Sequence, residues 1–141
     1  MRHVMRLLLV FSTLIVLAGC DSGREAVDDV LIVSLGEAPN DGPGLQLQTE
    51  GDHPCGARLV VSEETDGAVL RVEVGGSDLS GTGCEAADAP LYWSTYLPVP
   101  NPTVDVEVRH RGETDLYRYA CGFAGCDFVA VRTSTTRLGP R

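Results

Sequence analysis

The sequence contains no lysine, and its two methionines lie within the first five residues. All 11 basic residues are arginine, which excludes P-loop lysines, Schiff-base lysines and lysine general bases. Because 20 acidic residues outnumber them, the formal net charge is −9, which argues against a nucleic-acid partner. The length of 141 residues predicts one domain, and a hydrophobic content of 43% is sufficient for a packed core.

The beginning of the chain has the organisation of an export signal. Arg2, His3 and Arg6 make it positive, and the following 12 residues, 7–18, are almost entirely apolar. A membrane-spanning helix needs about 20 apolar residues, so this shorter stretch predicts a secretory signal peptide.

The signal ends in the tetrapeptide Leu17-Ala18-Gly19-Cys20. This motif resembles the lipobox of bacterial lipoproteins, and the resemblance covers residues 1–20 only. It implies that the Cys20 thiol carries diacylglycerol, that cleavage makes Cys20 the first residue, and that the protein is anchored on the extracytoplasmic face of the inner or outer membrane. The alternative is an ordinary signal peptide followed by an unmodified cysteine. We therefore predict a signal peptide over 1–19, a lipidated cysteine with a short polar tether over 20–29, and one domain over 30–141.

Four cysteines remain after lipidation, and an even number in an exported chain predicts two disulfides. Cys121 and Cys126 are close in sequence and are expected to pair, which leaves Cys55 to pair with Cys84. The competing interpretation is a metal site that combines these thiols with His53. Because the C-x₄-C spacing departs from the usual zinc motif, we predict disulfides and no metal site.

Short apolar segments separated by glycine- and proline-containing turns recur after residue 29, without a helical apolar stripe. This pattern predicts an all-β fold, a disulfide-stabilised antiparallel β-sandwich that is immunoglobulin-like or similar, with about seven to eight strands. The predicted strands span residues 30–35, 45–48, 57–63, 68–75, 91–99, 103–111, 114–121 and 128–133.

Two turns predict hairpins with defined registers. With Asp66-Gly67 as a two-residue turn, Val61 faces Val72. With Gly112-Glu113 as a turn, Glu107 faces Arg118. The residues predicted to face the core are Leu59, Val61, Leu70, Val72 and Val74 in the first hairpin and Val104, Val106, Val108, Tyr117, Tyr119 and Cys121 in the second.

The Cys121–Cys126 bridge predicts a third hairpin in which Tyr119 faces Phe128 and Asp115 faces Arg132. Three consecutive strands then form a meander with an unusually apolar outer face. Either another segment, such as residues 30–35, covers this face, or the face is a partner-binding patch. The residues of that candidate patch are Leu116, Arg118, Val129 and Val131.

Residues that could support catalysis are few. In the predicted register His110 lies opposite Asp115, and such a couple can assist a nucleophile. Its position beside a tight turn, and the absence of a serine in a G-x-S-x-G motif, favour a structural role. We predict a protein that is not an enzyme and holds no cofactor. A weak calcium site among the acidic turns at Asp41, Asp66 and Asp78 stays open as an alternative.

Five of the eight aromatic residues fall within 92–119: Tyr92, Trp93, Tyr96, Tyr117 and Tyr119. Such residues can form a sugar-stacking platform, but in a β-sandwich we expect them in the core. The segment 97–102 carries three prolines at alternate positions, which cannot donate to a β-ladder, and therefore predicts an edge or an extended connection.

These observations predict a membrane-anchored bacterial lipoprotein that acts as a non-catalytic binding or scaffolding module at the cell envelope. Its partners are the membrane, through the lipid, and a protein or envelope component that the sequence does not identify. The alternative function is that of a protease-inhibitor-like or accessory subunit presenting residues 97–102.

Overall fold

The computed structural model describes residues 23–37, 42–98 and 102–140. The predicted signal peptide, Cys20 and the middle of the 97–102 segment lie outside these ranges. Within them the chain forms two β-sheets in a sandwich-like arrangement and no helix, which confirms the predicted all-β class. The strands are β1 (Arg24–Glu25), β2 (Leu31–Glu37), β3 (Pro43–Thr49), β4 (Arg58–Asp66), β5 (Val69–Asp78), β6 (Tyr92–Tyr96), β7 (Thr103–His110), β8 (Glu113–Gly122), β9 (Gly125–Arg132) and β10 (Thr136–Leu138).

The larger sheet has six strands in the order β1-β5-β7-β8-β9, and β4 pairs with the opposite side of β5. The β5–β7 pair is parallel, and the other pairs of this sheet are antiparallel. The smaller sheet has the order β10-β2-β3-β6, with β10 parallel to β2. The strands β4 and β9 are therefore edges of the larger sheet, and β6 and β10 are edges of the smaller sheet.

Both sheets contribute alternate residues to one core, as period-two patterning requires. In the larger sheet Tyr117 is fully buried and stacks on Phe128, with ring centroids 5.4 Å apart. The predicted inward faces of the hairpins are confirmed, although Val61 and Cys121 are only partly buried against the core. The central buried aliphatic residues are Leu31, Val33, Leu45, Leu47, Leu70, Val72, Val104, Val106 and Val108.

The predicted registers of the first two hairpins are wrong by two residues. The turns are formed by residues 67–68 and 111–112, because Asp66 pairs with Val69 and His110 pairs with Glu113. Arg111 and Gly112 both have positive φ, 54° and 80°, which is the requirement of a type I′ turn. A two-residue shift leaves every side chain on its predicted face, since the side-chain period is also two. It nevertheless changes the cross-strand partners.

The third hairpin confirms the predicted pairs Tyr119–Phe128 and Cys121–Cys126. The predicted pairing of Asp115 with Arg132 is wrong, because a bulge shifts the register beyond Tyr117 and places Arg132 opposite Leu116. Both predicted disulfides, Cys55–Cys84 and Cys121–Cys126, are present.

Two short strands, β1 and β10, were not predicted from the sequence. Residues 23–29, assigned to the tether, contribute β1 and place Val27 in the core. The strand β10 follows β9 after a short connection and continues the smaller sheet beside β2. Neither segment has an apolar alternation long enough to predict a strand, so both depend on tertiary contacts.

Candidate partner-binding site

The candidate site is the outer surface of β9, an edge strand that is nearly all exposed. Of its eight residues, Phe128 alone is buried. Val129 and Val131 face outward with relative exposures of 42% and 51%. Leu116 on the neighbouring strand β8 is half-buried, so these three side chains form the apolar part of the predicted patch.

Within the described ranges, no strand of the smaller sheet covers this patch. Residues 30–35, the segment suggested as a cover, belong largely to β2, where Leu31 and Val33 point into the core. The described chain therefore leaves the outward valines exposed to solvent. A patch of this kind is typical of a surface that contacts another molecule.

Arg118 borders the patch and is held by Asp105. Its Nε donates to Asp105 Oδ1 at 2.7 Å and its Nη2 donates to Asp105 Oδ2 at 3.3 Å. These hydrogen bonds, with the nearby negative charge, raise the pKa of the Arg118 guanidinium. The predicted pairing of Arg118 with Glu107 is wrong because of the register shift, and Glu107 accepts from Arg71 instead. A two-point contact orients the guanidinium, so Arg118 forms a fixed polar boundary.

The backbone of β9 pairs with β8 on one side, and no strand of the described ranges pairs with its other side. An edge strand of a sheet can accept an additional strand from a partner. A cleft of about 220 Å³ opens beside this edge, between β9 and β10. Leu35, Phe128, Leu138 and Pro140 give it an apolar lining.

Phe123, at the tip of the β8–β9 hairpin, was not predicted as a surface feature. Its side chain is fully exposed. The Cys121–Cys126 disulfide closes the hairpin, and Gly125 has a φ of 123°, a value that side chains disfavour. The sequence Cys-Gly-Phe-Ala-Gly-Cys could have indicated this exposure, since a phenylalanine between glycines in a six-residue disulfide ring cannot reach a core.

The predicted contact between His110 and Asp115 is wrong. His110 is buried, and its Nε2–H donates to the Asp29 carbonyl oxygen at 2.9 Å. Asp115 lies opposite Val108 and accepts hydrogen bonds from the connection between β9 and β10. The two side chains therefore have separate structural partners and do not form a His–Asp couple.

His53, the other histidine of the described chain, lies in the connection between β3 and β4. Its Nε2 is 2.8 Å from Asp29 Oδ2, and its backbone pairs with Ala89. Since Cys55 and Cys84 are joined to each other, His53 serves to attach the segment before β2 rather than to complete a thiol site.

The proline-containing segment 97–102 is tied to the domain at both of its described ends. Leu97 is buried, and its N–H donates to the Pro43 carbonyl. The carbonyl of Pro102 accepts from the Cys121 N–H, which places the end of this segment beside the disulfide hairpin. Residues 99–101 lie outside the described ranges.

Within the described chain, no three His, Cys, Asp or Glu side chains converge in a way that could hold a metal ion. No helix in the same ranges is long and apolar enough to cross a membrane. Comparison of the chain with protein-family models, with curated proteins and with solved structures found no significant match.

Proposed function

We propose that the protein is a lipid-anchored, non-catalytic binding module of the bacterial cell envelope. The observation that carries the proposal is the outer surface of β9, where Val129 and Val131 lie exposed on the edge strand of the larger sheet. The export signal and two disulfides support a location outside the cytoplasm. A partner of this surface is a protein that can add a strand to β9 or bury the valines.

An anchor at Cys20 would hold the domain in a defined orientation. Gly23 lies beside Leu79, at the end of the sandwich where β5 finishes. Gly23 is three positions after Cys20, so the two residues are at most about 10 Å apart. Phe123 and the start of β9 lie at the opposite end, because β8 runs away from this end and β9 returns toward it. A lipid on Cys20 therefore presents the β8–β9 hairpin away from the membrane.

Replacing Cys20 with alanine is expected to prevent acylation and to release the exported protein from the membrane. Two acyl chains make the anchoring stable, with about 0.8 kcal/mol contributed by each buried CH₂ group. Metabolic palmitate labelling followed by fractionation measures both effects. Label on the unaltered chain that persists in the Cys20→Ala variant contradicts the assignment of the acyl site.

Replacing Val129 with glutamate is expected to abolish partner capture while the domain stays folded. The change places a charge at the centre of the apolar patch, where burial against a partner would be strongly unfavourable. A photo-crosslinking residue at Val131, used in native membranes, measures capture by the otherwise unaltered chain and by the Val129→Glu variant. Thr65→Glu is the matched control, since it adds the same charge to the other edge of the larger sheet. Equal crosslinking in all three chains would exclude the patch as the binding surface.

A second candidate function is that of an inhibitor or accessory subunit. The observation in its favour is Phe123, which a disulfide ring holds exposed beside Pro102. A constrained loop with a projecting side chain binds with little loss of conformational entropy. The two functions are distinguished by which substitution abolishes partner capture. The second function predicts loss of capture in Phe123→Ala and unaltered capture in Val129→Glu.

A further inference from the structure

The outer faces of the two sheets differ in how many charged side chains they carry. The larger sheet carries a network of ion pairs on its outer face, in which Arg71 contacts Glu107 and Asp66, and Arg109 contacts Glu73. The smaller sheet has no charged side chain at the outward positions of β2, β3 and β6. Those positions are Ile32, Ser34, Gly36, Gly44, Gln46, Gln48, Tyr92, Ser94 and Tyr96. An exposed ion pair between Arg137 of β10 and Glu50 borders these positions, and its two charges balance. A face without net charge, on a protein with a net charge of −9, suits an uncharged ligand better than an ionic one.

Two tyrosines form the apolar part of this face. Tyr92 and Tyr96 lie on the same side of β6 with exposures of 65% and 43%. Four residues of strand separate them by about 13 Å, which is longer than one pyranose ring. The expectation that these aromatics belong to the core is wrong for this pair, whereas Tyr117 and Tyr119 are buried as predicted. Trp93 lies between them in sequence and packs inward against the core.

Polar side chains lie between and beside the two rings. In the register Gln48 faces Tyr92, and Gln46 faces Ser94. No side-chain hydrogen bond within the described ranges uses the carboxamides of these glutamines or the two tyrosine hydroxyls. The Gln46 carboxamide lies against the Cα of Gly36, where any larger residue would collide with it. The absence of a side chain at Gly36 therefore leaves this carboxamide along the surface of the sheet.

We propose that the outer face of the smaller sheet binds an uncharged, β-linked chain of N-acetylhexosamine units, the glycan backbone of the cell wall. This inference rests on the proposed function, because it names an envelope ligand for the same anchored module. The flat rings of Tyr92 and Tyr96 stack on the apolar faces of sugar rings. Each glutamine offers one acceptor and two donors, which match the carbonyl and N–H of an acetamido group and the sugar hydroxyls.

This surface is separate from the β9 patch. It lies on the smaller sheet and is bordered by the edge strand β6, whereas the β9 patch lies on the larger sheet. Tyr96 lies opposite Gly44, which is buried although it is at an outward position. Part of the Tyr96 ring therefore contacts the sheet and contributes to its stability. Tyr92 faces Gln48 and is the more exposed ring. Tyr92 is therefore the residue whose replacement affects the ligand with the least effect on folding.

Titration of the full acylated protein, held in detergent micelles, with chitohexaose tests the proposal. Chitohexaose is an uncharged β-linked N-acetylglucosamine chain, and calorimetry measures its affinity. We expect saturable binding that becomes about tenfold weaker in Tyr92→Ala, the effect of losing one stacked ring. Tyr92→Phe keeps the ring and is expected to bind nearly as well as the unaltered chain. Cellohexaose, which lacks the acetamido groups, is expected to bind more weakly than chitohexaose.

Purified cell-wall sacculi, used in a sedimentation assay, extend the same comparison to the intact wall. Cosedimentation that Tyr92→Ala reduces supports the proposal. The absence of chitohexaose binding, equal affinity of Tyr92→Ala, or a Tyr92-dependent dimer in analytical ultracentrifugation would each overturn it. Acylation of Cys20 and crosslinking through Val131 are measured separately and do not involve β6. Failure of the glycan proposal is thus distinguishable from failure of the proposed function.

Discussion

Asp115→Asn is expected to destabilise the domain by about 3–5 kcal/mol, the cost of breaking a buried, charge-assisted hydrogen-bond network. Asp115 has no exposed surface. Its carboxylate accepts backbone N–H groups from Ser134 at 2.8 Å, Thr135 at 3.0 Å and Thr136 at 2.7 Å. An asparagine amide would direct its own N–H groups at donors that have no other acceptor. The connection that leads into β10 would then lose its main attachment to β8.

Two hydroxyl groups extend this network into the core. Thr136 Oγ1 donates to Asp115 Oδ2 at 2.6 Å, and the Tyr117 hydroxyl is in turn hydrogen-bonded to Thr136 Oγ1. Because the threonine proton is directed at the carboxylate, the tyrosine is the donor in the second hydrogen bond. Burial, together with the negative charge of Asp115, raises the pKa of Tyr117 to about 12 despite the contact with Thr136. The tyrosine therefore stays neutral and continues to donate throughout the physiological range.

The same network makes stability dependent on pH. Burial acts to raise the pKa of Asp115, but the hydrogen bonds from Thr136, Ser134 and Thr135 outweigh it and lower the pKa below 3.8. A carboxyl group with a lower pKa in the folded state stabilises the fold above its unfolded pKa. That contribution is lost as the pH falls through the folded value. Urea unfolding between pH 7 and pH 2 is expected to show a steeper loss of stability in the unaltered chain than in Asp115→Asn.

Glu113→Gln is the matched control for this measurement. Glu113 lies on the same strand and is exposed, so its replacement is expected to change the free energy of unfolding by no more than about 0.5 kcal/mol. A stable, normally folded Asp115→Asn variant would show that the carboxylate is not the anchor of β10.

The role of Asp115 illustrates what sequence patterns can and cannot predict in this fold. Alternation of apolar residues predicts which face of each strand is buried, and it remains correct when a register moves by two. The cross-strand partner depends on a different property, the backbone conformation of the turn. Arg111 adopts a positive φ that its residue type does not suggest, and a bulge beside Tyr117 moves Arg132 away from Asp115. The predicted pairing of His110 with Asp115 was therefore wrong, because a pattern of alternating residues does not determine cross-strand partners.

Of the two candidate surfaces, one could be predicted from the sequence and the other could not. Val129 and Val131 were predicted because their side of β9 follows from the Cys121–Cys126 pairing. The exposure of Tyr92 was not predicted, since a tyrosine on a strand of unknown position fits either the core or the surface. Its location depends on β6 being the edge of the smaller sheet. That placement results from a long crossover, and local sequence does not determine crossovers.

The Cys55–Cys84 disulfide fastens this crossover, and its removal is expected to have the second large effect on stability. The connection between β5 and β6 spans residues 79–91, is mostly exposed, and contains no strand. Its other attachments include the backbone pairing of His53 with Ala89 and the hydrogen bonds between Leu91 and Thr49. The bridge joins residues 29 positions apart, whereas Cys121 and Cys126 are only five apart. The longer loop loses more conformational entropy when it is closed in the unfolded chain.

Replacing Cys55 and Cys84 together with serine is expected to lower the free energy of unfolding by about 3.5 kcal/mol, against about 2 kcal/mol for the Cys121 and Cys126 pair. Urea denaturation of the oxidised protein measures both values, and intact mass after alkylation verifies which thiols are free. The order of the two values tests the physical argument, because the shorter bridge closes a hairpin that β8 and β9 already hold together by their ladder. If the shorter bridge contributed more, the hairpin would depend on its disulfide, and the rigid presentation of Phe123 would have to come from that bond rather than from the sheet.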